Sequence, residues 1–391
     1  MRLPFVVLIF ALLMMSCNSD PAGFTAEQEQ KIISDAFGGN INLDQLPNYA
    51  NQSVPAYITR NNAGGNPIVN EKALIGRVLF YDKSLSTNNT VSCASCHQQS
   101  HAFSDASVVS MGVNGTTGRH SMRLVNARFA AEIKFFWDER AATLEAQTTQ
   151  PIQDHAEMGF SGQNGDPALT DLLAKLKSKD YYQVLFRQAY NDTEITEPRL
   201  QECLAQFVRS IQSFDSKFDV GRATAPNDGA PFANFTAQEN QGKNLFLQPP
   251  QFVAGGLRTG GGAGCGGCHR APEFDIDPNS RNNGLITKIG GGTDVAVTRA
   301  PTLRDMMQAD GTLNGPLMHT GSMDVAAMID HYNNGVTAAG NTNLDPRLRP
   351  GGSVQNLQLT QAEKDALIAF LRTLSGQQVY TDARWSDPFV R

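Results

Sequence analysis

Two copies of one short pattern, Cys-x-x-Cys-His, constrain this 391-residue chain more than any other feature of its sequence. Two thiols at this spacing lie one helical turn apart and can bond to the two vinyl groups of one porphyrin. The histidine that follows can then bind the haem iron as its proximal ligand. The sequence therefore predicts two covalently attached haem c groups. The residues predicted to hold them are Cys93, Cys96, His97, Cys265, Cys268 and His269.

A thioredoxin-like dithiol and a zinc site are the alternatives for cysteine pairs of this spacing. A redox dithiol does not need an adjacent histidine in both copies, and zinc would normally use both pairs together. Of the six cysteines in the chain, Cys17 and Cys203 remain. Cys203 falls on an apolar helical pattern, which predicts a buried cysteine. The cysteine pattern as a whole therefore favours haem.

The first residues of the chain are typical of an export signal. Arg2 provides a positive charge, and the apolar run from Pro4 to Met15 is shorter than the roughly 20 residues that a membrane-spanning helix needs. The segment Leu13–Cys17 resembles a bacterial lipoprotein signal that is cut before a cysteine. We predict that residues 1–16 are removed, and that a lipid on Cys17 anchors the protein to a membrane of the cell envelope, facing the periplasm. A plain signal peptide is the alternative.

Composition and charge describe an ordinary globular protein. The net charge is −6 and no block of like charges stands out, so no nucleic-acid partner is expected. Few apolar runs alternate with period two, whereas capping boxes begin at Thr25, Thr236 and Thr360, and Asp166-Pro167 predicts a further helix start. The predicted fold class is therefore mainly α, and the length favours two domains. The predicted parts after the signal are a tether with a first helix (17–50), an N-terminal haem domain (51–225) and a C-terminal haem domain (226–391).

A second set of motifs follows the first haem motif. These are Phe136–Ala141, Leu144–Gln147, Pro151–Ile152 and Glu157–Gly159. In this block the chain resembles the bacterial di-haem cytochrome c peroxidase and MauG family. The resemblance runs from about residue 70 to residue 375, and it implies two cytochrome c-type haem domains packed together. The further matching segments are Ala205–Ser210, Thr236–Phe246, Ala300–Arg304 and Met318–Gly321.

The resemblance also implies which side chains take part in the chemistry. Glu157 would move a proton between the two oxygens of a peroxide at the first haem, and Gln147 would position peroxide or water beside it. Trp137 would stand between the haems, where an aromatic ring shortens each electron-tunnelling step. Met318 would bind the iron of the second haem, because a His/Met pair raises the reduction potential.

The assignment of Met318 leaves alternatives open. Met306 and Met307 are competing ligands, and Met318 itself could merely pack against the porphyrin. In MauG-type enzymes a tyrosine stands at the place of Met318, and those enzymes can oxidise a protein substrate. A methionine at this position therefore favours the peroxidase branch of the family.

Two positions depart from the family pattern. Many of its peroxidases keep a histidine on the open side of the first haem until reduction activates the enzyme, and Gly112 occupies that place here. We therefore predict a first haem that is open in every redox state. The family also commonly holds a calcium ion between the haems, using an asparagine and carbonyl groups near Ala300–Arg304. His120 replaces that asparagine, and because calcium prefers oxygen ligands, its presence is left open.

The sequence thus predicts a di-haem cytochrome c peroxidase. It would reduce hydrogen peroxide to water at the haem on His97, with electrons that enter at the haem on His269 from a small external redox protein such as a c-type cytochrome. A MauG-like oxidase of a protein or organic substrate and a non-enzymatic di-haem electron carrier are the alternatives. A homodimer is also open, because only family analogy supports it.

Overall fold

The computed structural model describes residues 23–390. The predicted signal peptide and Cys17 lie outside this range, so the lipid anchor stays a prediction. Within the range, no helix is long and apolar enough to cross a membrane. The described chain is rich in helix, as predicted. Its α-helices are α1 (Ala26–Phe37), α2 (Asn70–Tyr81), α3 (Cys93–Cys96), α4 (Leu144–Thr148), α5 (Leu169–Lys177), α6 (Asp180–Tyr190), α7 (Glu197–Ser210), α8 (Lys217–Thr224), α9 (Ala237–Leu247), α10 (Val325–Asp330) and α11 (Gln361–Arg372).

Strands are few and short in the described chain. They form two antiparallel pairs, β1 with β2 and β3 with β4. One π-helical turn, His331–Gly335, follows α10 directly. Short 3-10 turns connect many of the other elements, and one of them begins at Cys265 of the second haem motif. The strands are β1 (Pro250–Phe252), β2 (Arg258–Gly261), β3 (His269–Arg270) and β4 (Asp275–Ile276).

Local capping explains where three of the helices begin. The hydroxyl groups of Thr25, Thr236 and Thr360 each accept a hydrogen bond from the backbone N–H three residues later. A glutamine or glutamate at that later position accepts from the backbone N–H of the threonine in return. The three predicted capping boxes are therefore confirmed, because both partners of each bond lie within four residues of one another.

The helix start predicted at Asp166-Pro167 is wrong. The helix α5 begins at Leu169 instead, two residues beyond the proline. The carboxylate of Asp166 accepts a hydrogen bond from Ser161 Oγ at 2.7 Å and pairs with His155 Nδ1 at 2.7 Å. Both contacts are made through Oδ2 of Asp166, so its carboxylate serves this loop and does not cap a helix N-terminus.

Each half of the molecule is built on one pair of crossing helices. The helices α2 and α7 cross at Gly76, where a Cβ atom would overlap the carbonyl oxygen of Cys203. The helices α9 and α11 cross at Gly242, where a Cβ atom would overlap the carbonyl oxygen of Ala366. Glycine is thus required at both crossings, because only glycine lets two backbones approach so closely. Cys203 is fully buried at the first crossing, as predicted.

Two large hydrophobic cores surround these helix pairs in the described chain. The first contains buried apolar residues from Ile33 to Ile211 and also takes in Trp385 of the C-terminal tail. The second contains buried apolar residues from Phe218 to Leu374. The change from one core to the other therefore falls just before α8. The residue bounds predicted for the two haem domains stay a prediction.

Candidate functional site

Each haem motif lies on the wall of an internal cavity. The first cavity has a volume of about 430 Å³, and both cysteines and the histidine of the first motif line it. The second cavity has a volume of about 550 Å³ and is lined in the same way by the second motif. Cavities of this size are typical of sites that enclose a small-molecule cofactor. All six predicted haem-binding residues therefore lie where a porphyrin could be attached.

The two motif histidines have the properties of iron ligands. His97 Nδ1 lies 3.2 Å from the carbonyl oxygen of Phe103, to which a neutral ring can donate. Burial lowers the pKa of His97, and burial lowers the pKa of His269 to about 4. Both imidazoles are therefore neutral at neutral pH, which is the form that binds a metal. In His97 the hydrogen bond through Nδ1 keeps Nε2 free for iron. The residues present thus fit haem c.

Glu157 is a titratable group on the wall of the first cavity. Its half-buried side chain shares this cavity with His97. Burial, supported by the charge of Asp154 and opposed by that of Arg140, raises the pKa of Glu157 to about 7. A carboxyl group with a pKa near neutral pH can both accept a proton and return it. The structure thus brings the predicted acid–base residue into the predicted cavity.

Gly112 supports the segment that carries Glu157. The backbone N–H of Val113 donates to the Glu157 carbonyl at 2.9 Å, and that of Asn114 donates to the Ala156 carbonyl at 3.2 Å. A Cβ atom at position 112 would overlap the carbonyl oxygen of Ala156 and lie 2.6 Å from Glu157 Cα. No side chain therefore fits at this position while the Glu157 segment keeps its place. This agrees with an open first haem, which stays a prediction.

Gln147 and Arg140 complete this part of the first cavity. Gln147 lies on α4, and its half-buried side chain lines the cavity as predicted. Arg140 also lines it, with its guanidinium 3.5 Å from the centre of the Phe136 ring and with Nη1 donating to Asp138 Oδ1 at 2.9 Å. The sequence prediction gave Arg140 no role, although the residue stands inside the matched motif. Its fixed charge is the one that opposes the rise in the pKa of Glu157.

Trp137 lines both cavities, as its predicted position between the haems requires. The indole N–H of Trp137 donates to the carbonyl oxygen of His120 at 2.8 Å. The His319 ring packs edge-on against the indole, with 6.2 Å between the ring centroids. Only 9% of the tryptophan is exposed. The ring is therefore held in one orientation at the junction of the two cavities.

The second cavity brings Met318 and Tyr332, two side chains that could bind iron, next to each other. Met318 lies at a left-handed backbone conformation (φ 69°), and its Sδ accepts from Asn283 Nδ2 at 3.5 Å. The same amide nitrogen donates to the Tyr332 hydroxyl oxygen at 3.2 Å. Met318 and Tyr332 both line the cavity, and so does Met306, one of the two methionines that compete with Met318 as a ligand. Asn283 therefore holds a thioether and a phenol side by side at the second haem site.

Tyr332 is a residue that the sequence prediction missed. The predicted contrast was a methionine or a tyrosine at one position, whereas the structure brings both to one cavity. Tyr332 lies in the π-helical turn after α10, and burial raises the pKa of its hydroxyl group. The presence of Met318 alone therefore does not distinguish the peroxidase branch from the MauG branch.

Two carbonyl groups of the segment 300–304, and His120, already have partners within the protein. The carbonyl oxygens of Thr302 and Arg304 accept hydrogen bonds from the Arg123 guanidinium, at 2.5 Å and 3.0 Å. His120 Nδ1 faces the carbonyl oxygen of Ser107 at 3.0 Å. Within residues 23–390 there is no cluster of three or more His, Cys, Asp or Glu side chains that could hold a metal ion. Calcium takes about six to eight oxygen ligands, so a calcium site here would have to be built largely from backbone carbonyl groups and other neutral oxygens.

Known proteins resemble this chain over most of its length. Residues 70–224 match the family model described as di-haem cytochrome c peroxidase. The chain is 28% identical to the methylamine utilization protein MauG of Methylophilus methylotrophus, over 83% of this chain and 86% of that protein. It is 26% identical to the cytochrome c551 peroxidase of Nitrosomonas europaea, over 79% of this chain and 81% of that protein. The crystal structure of a MauG-like protein associated with microbial copper homeostasis matches with a TM-score of 0.66 and 27% identity, over 86% of this chain and 99% of that one.

Proposed function

This chain belongs to the di-haem cytochrome c peroxidase and MauG family, and on that basis we propose that it reduces hydrogen peroxide to water with electrons from a small external redox protein. The observation that carries this proposal is Glu157, a carboxyl group with a pKa of about 7 in the cavity of His97. An electron carrier would have no use for a proton-transfer group at that place.

The chemistry of the first site follows from its side chains. When bound, the haem on His97 supplies the redox centre at which peroxide is reduced. Reduction of one peroxide to two water molecules consumes two electrons and two protons. Glu157 takes a proton from one peroxide oxygen and returns it to the other, so that the departing oxygen leaves as water. The amide group of Gln147 orients the peroxide beside this carboxylate.

Trp137 connects this site with the second cavity. Because its ring lines both cavities and is fixed by the carbonyl group of His120, it divides one long tunnelling distance into two shorter ones. Electrons would therefore enter at the site of His269 and leave at the site of His97. The predicted export signal places this reaction at the cell envelope, facing the periplasm.

A MauG-like oxidase of a protein or organic substrate is the second candidate. Tyr332 favours it, because in MauG-type enzymes a tyrosine takes the ligand position of the second haem. In this function peroxide would still react in the cavity of Glu157, but the electrons would come from an organic substrate instead of a redox protein. The site of His97 is therefore common to both candidates, and the second cavity and the electron source differ.

Steady-state oxidation of a reduced small c-type cytochrome by hydrogen peroxide tests the proposal. The protein is loaded with haem and taken in its fully oxidised form. Fast turnover without a lag supports a peroxidase with an open first haem, whereas turnover only after reduction would contradict the open haem. Failure to oxidise the cytochrome, combined with peroxide-dependent oxidation of an organic substrate, would support the MauG-like candidate. No reaction of any kind with peroxide would contradict both.

The matched control for this assay exchanges a glutamate that lies far from the chemistry. Glu194 is exposed and does not line either haem cavity in the described chain. Glu194→Gln removes the same charge as Glu157→Gln and should leave turnover unchanged.

A further inference from the structure

Arg123 is a buried cation at the junction of the two haem cavities. Only 9% of the residue is exposed, and its side chain lines both cavities. Its Nη2 donates to the Thr302 carbonyl at 2.5 Å, and its Nε donates to the Arg304 carbonyl at 3.0 Å. The backbone therefore holds the guanidinium through two of its three nitrogens.

No carboxylate of the described chain neutralises this charge through an ion pair. The nearby acid Asp305 accepts hydrogen bonds from the Gly376 N–H at 2.8 Å and the Tyr380 hydroxyl at 3.2 Å instead. Burial lowers the pKa of Arg123 to about 10, so the guanidinium is still charged at neutral pH. The charge of Asp305 acts to raise the pKa of Arg123, but its carboxylate makes no direct hydrogen bond to the guanidinium in the described chain, so a closer anionic partner would stabilise this buried charge further. The third nitrogen, Nη1, makes no hydrogen bond within the described chain.

The family resemblance implies a calcium ion between the haems, held by an asparagine and by carbonyl groups of the segment 300–304. In this chain the asparagine is His120, whose Nδ1 faces the carbonyl group of Ser107. The carbonyl groups of Thr302 and Arg304 are already taken by Arg123. These two carbonyl oxygens are therefore poor ligands for a further cation, because the guanidinium charge beside them would repel it.

We propose that the guanidinium of Arg123 replaces calcium as the fixed positive charge between the two haems of this protein. Each haem c carries two propionate carboxylates, which would give this guanidinium a directly bound anionic partner in addition to the charge of Asp305. Nη1 of Arg123 is free to donate to such a carboxylate, an anion that arginine commonly binds. The same charge favours the reduced form of each iron, because adding an electron lowers the local positive charge.

Arg123 is thus a positioning residue that sets the potentials of both haems without a metal ion. This inference rests on the binding of two haems and does not require peroxide turnover. The first readout is the calcium content of the purified holoprotein after dialysis against calcium and then against calcium-free buffer. The second is the pair of midpoint potentials, measured with and without EDTA.

We expect no retained calcium in the wild-type holoprotein and no effect of EDTA on either potential. Arg123→Met keeps the length of the side chain and removes its charge, and it should shift both potentials to more negative values. Arg123→Lys keeps the charge and should retain most of the wild-type potentials. Arg349→Met is the matched control, because Arg349 is exposed and its guanidinium also donates to a backbone carbonyl, that of Gly352 at 3.0 Å.

One retained calcium ion per chain, with potentials that fall when EDTA removes it, would overturn the proposal. Potentials of Arg123→Met equal to those of the wild type and of Arg349→Met would overturn it as well. If Arg123→Met fails to fold, the calcium content of the wild type and the response of its potentials to EDTA still test the proposal. None of these readouts depends on peroxide turnover, so they stand even if the proposed peroxidase activity is absent.

Discussion

The two haem cavities share their attachment motif and differ in the other side chains of their walls. The first contains Glu157, which can move a proton, and Gly112 where family peroxidases keep a histidine. The second contains Met318 and Tyr332, both of which can bind iron and both of which contact Asn283. The first cavity therefore fits a haem iron that an external substrate could reach. The second fits a haem iron whose remaining coordination position would be filled by a side chain of the protein.

The difference arises outside the helices that the two halves share. Both halves use a glycine crossing, at Gly76 and at Gly242, to bring two helices together. Glu157 instead lies in the connection between α4 and α5, and Met318 lies in the long connection between β4 and α10. The helix pairs thus make two similar scaffolds, and the connecting segments decide what each cavity does.

The largest effect is expected from Glu157→Gln, which removes the proton-transfer group and keeps the shape of the side chain. Turnover with peroxide should fall by about 10²–10⁴-fold, the usual contribution of general acid–base catalysis. The measurement is kcat/KM for peroxide, with Glu194→Gln as the control. If Glu157→Gln were as fast as the control, Glu157 would not transfer a proton during turnover, and this difference between the two cavities would be lost.

The pH dependence of turnover should show the same carboxyl group. Since burial raises the pKa of Glu157 to about 7, the fraction of carboxylate falls as the pH drops below 7. We expect kcat/KM for peroxide to fall by about tenfold for each pH unit well below that pKa and to level off above it. This decrease of kcat/KM at low pH should be missing in Glu157→Gln. A decrease that persists in this variant would assign the titration to another group.

Gly112→Ala tests whether the backbone approach is what keeps the first cavity open. The added methyl group overlaps the Ala156 carbonyl oxygen, so the segment of Glu157 must move. Overpacking of this kind costs about 1–3 kcal/mol of the free energy of unfolding, and turnover should fall with it. Gly115→Ala is the control, because its Cβ would make only an ordinary contact of 3.5 Å with Ala156 Cβ. Equal stability of the two variants would refute the argument.

The smallest effect on turnover, and the sharpest test of the second cavity, is expected from Met318→Leu and Tyr332→Phe. An iron held by His269 would take one further protein ligand, so only one of the two variants should lose the low-spin EPR signal of the second haem. Loss in Met318→Leu supports the peroxidase branch, and loss in Tyr332→Phe supports the MauG-like branch. A low-spin signal that survives in both variants would exclude both residues as ligands.

Predictions from neighbouring residues were confirmed at three helix starts and wrong at a fourth. The capping boxes at Thr25, Thr236 and Thr360 are confirmed because each bond joins residues three positions apart. The helix start at Asp166 was wrong because His155 and Ser161 compete for its carboxylate. Both competitors are brought there by the fold of the loop, which no local propensity describes.

The residues of the candidate site also fall into two groups, those that the sequence indicated and those that it missed. The cavities of the two motifs contain every residue that the resemblance implied, because those residues stand in short motifs with fixed spacing. Tyr332 and Arg123 were missed as site residues. Tyr332 reaches Asn283 through a π-helical turn, and Arg123 reaches Thr302 across the junction of the cavities. Such long-range contacts leave no periodic or local signal in a single sequence.

The sequence by itself predicted the cofactor chemistry and the family, because the thiols and histidine that would hold each haem stand within five consecutive residues. Only the tertiary structure decided how the two cavities differ. The pKa of Glu157 depends on burial, the space at Gly112 depends on a backbone from another segment, and the carbonyl groups bound by Arg123 lie far along the chain. Burial and long-range contact are properties of the packed molecule, so they exist only once the chain has folded.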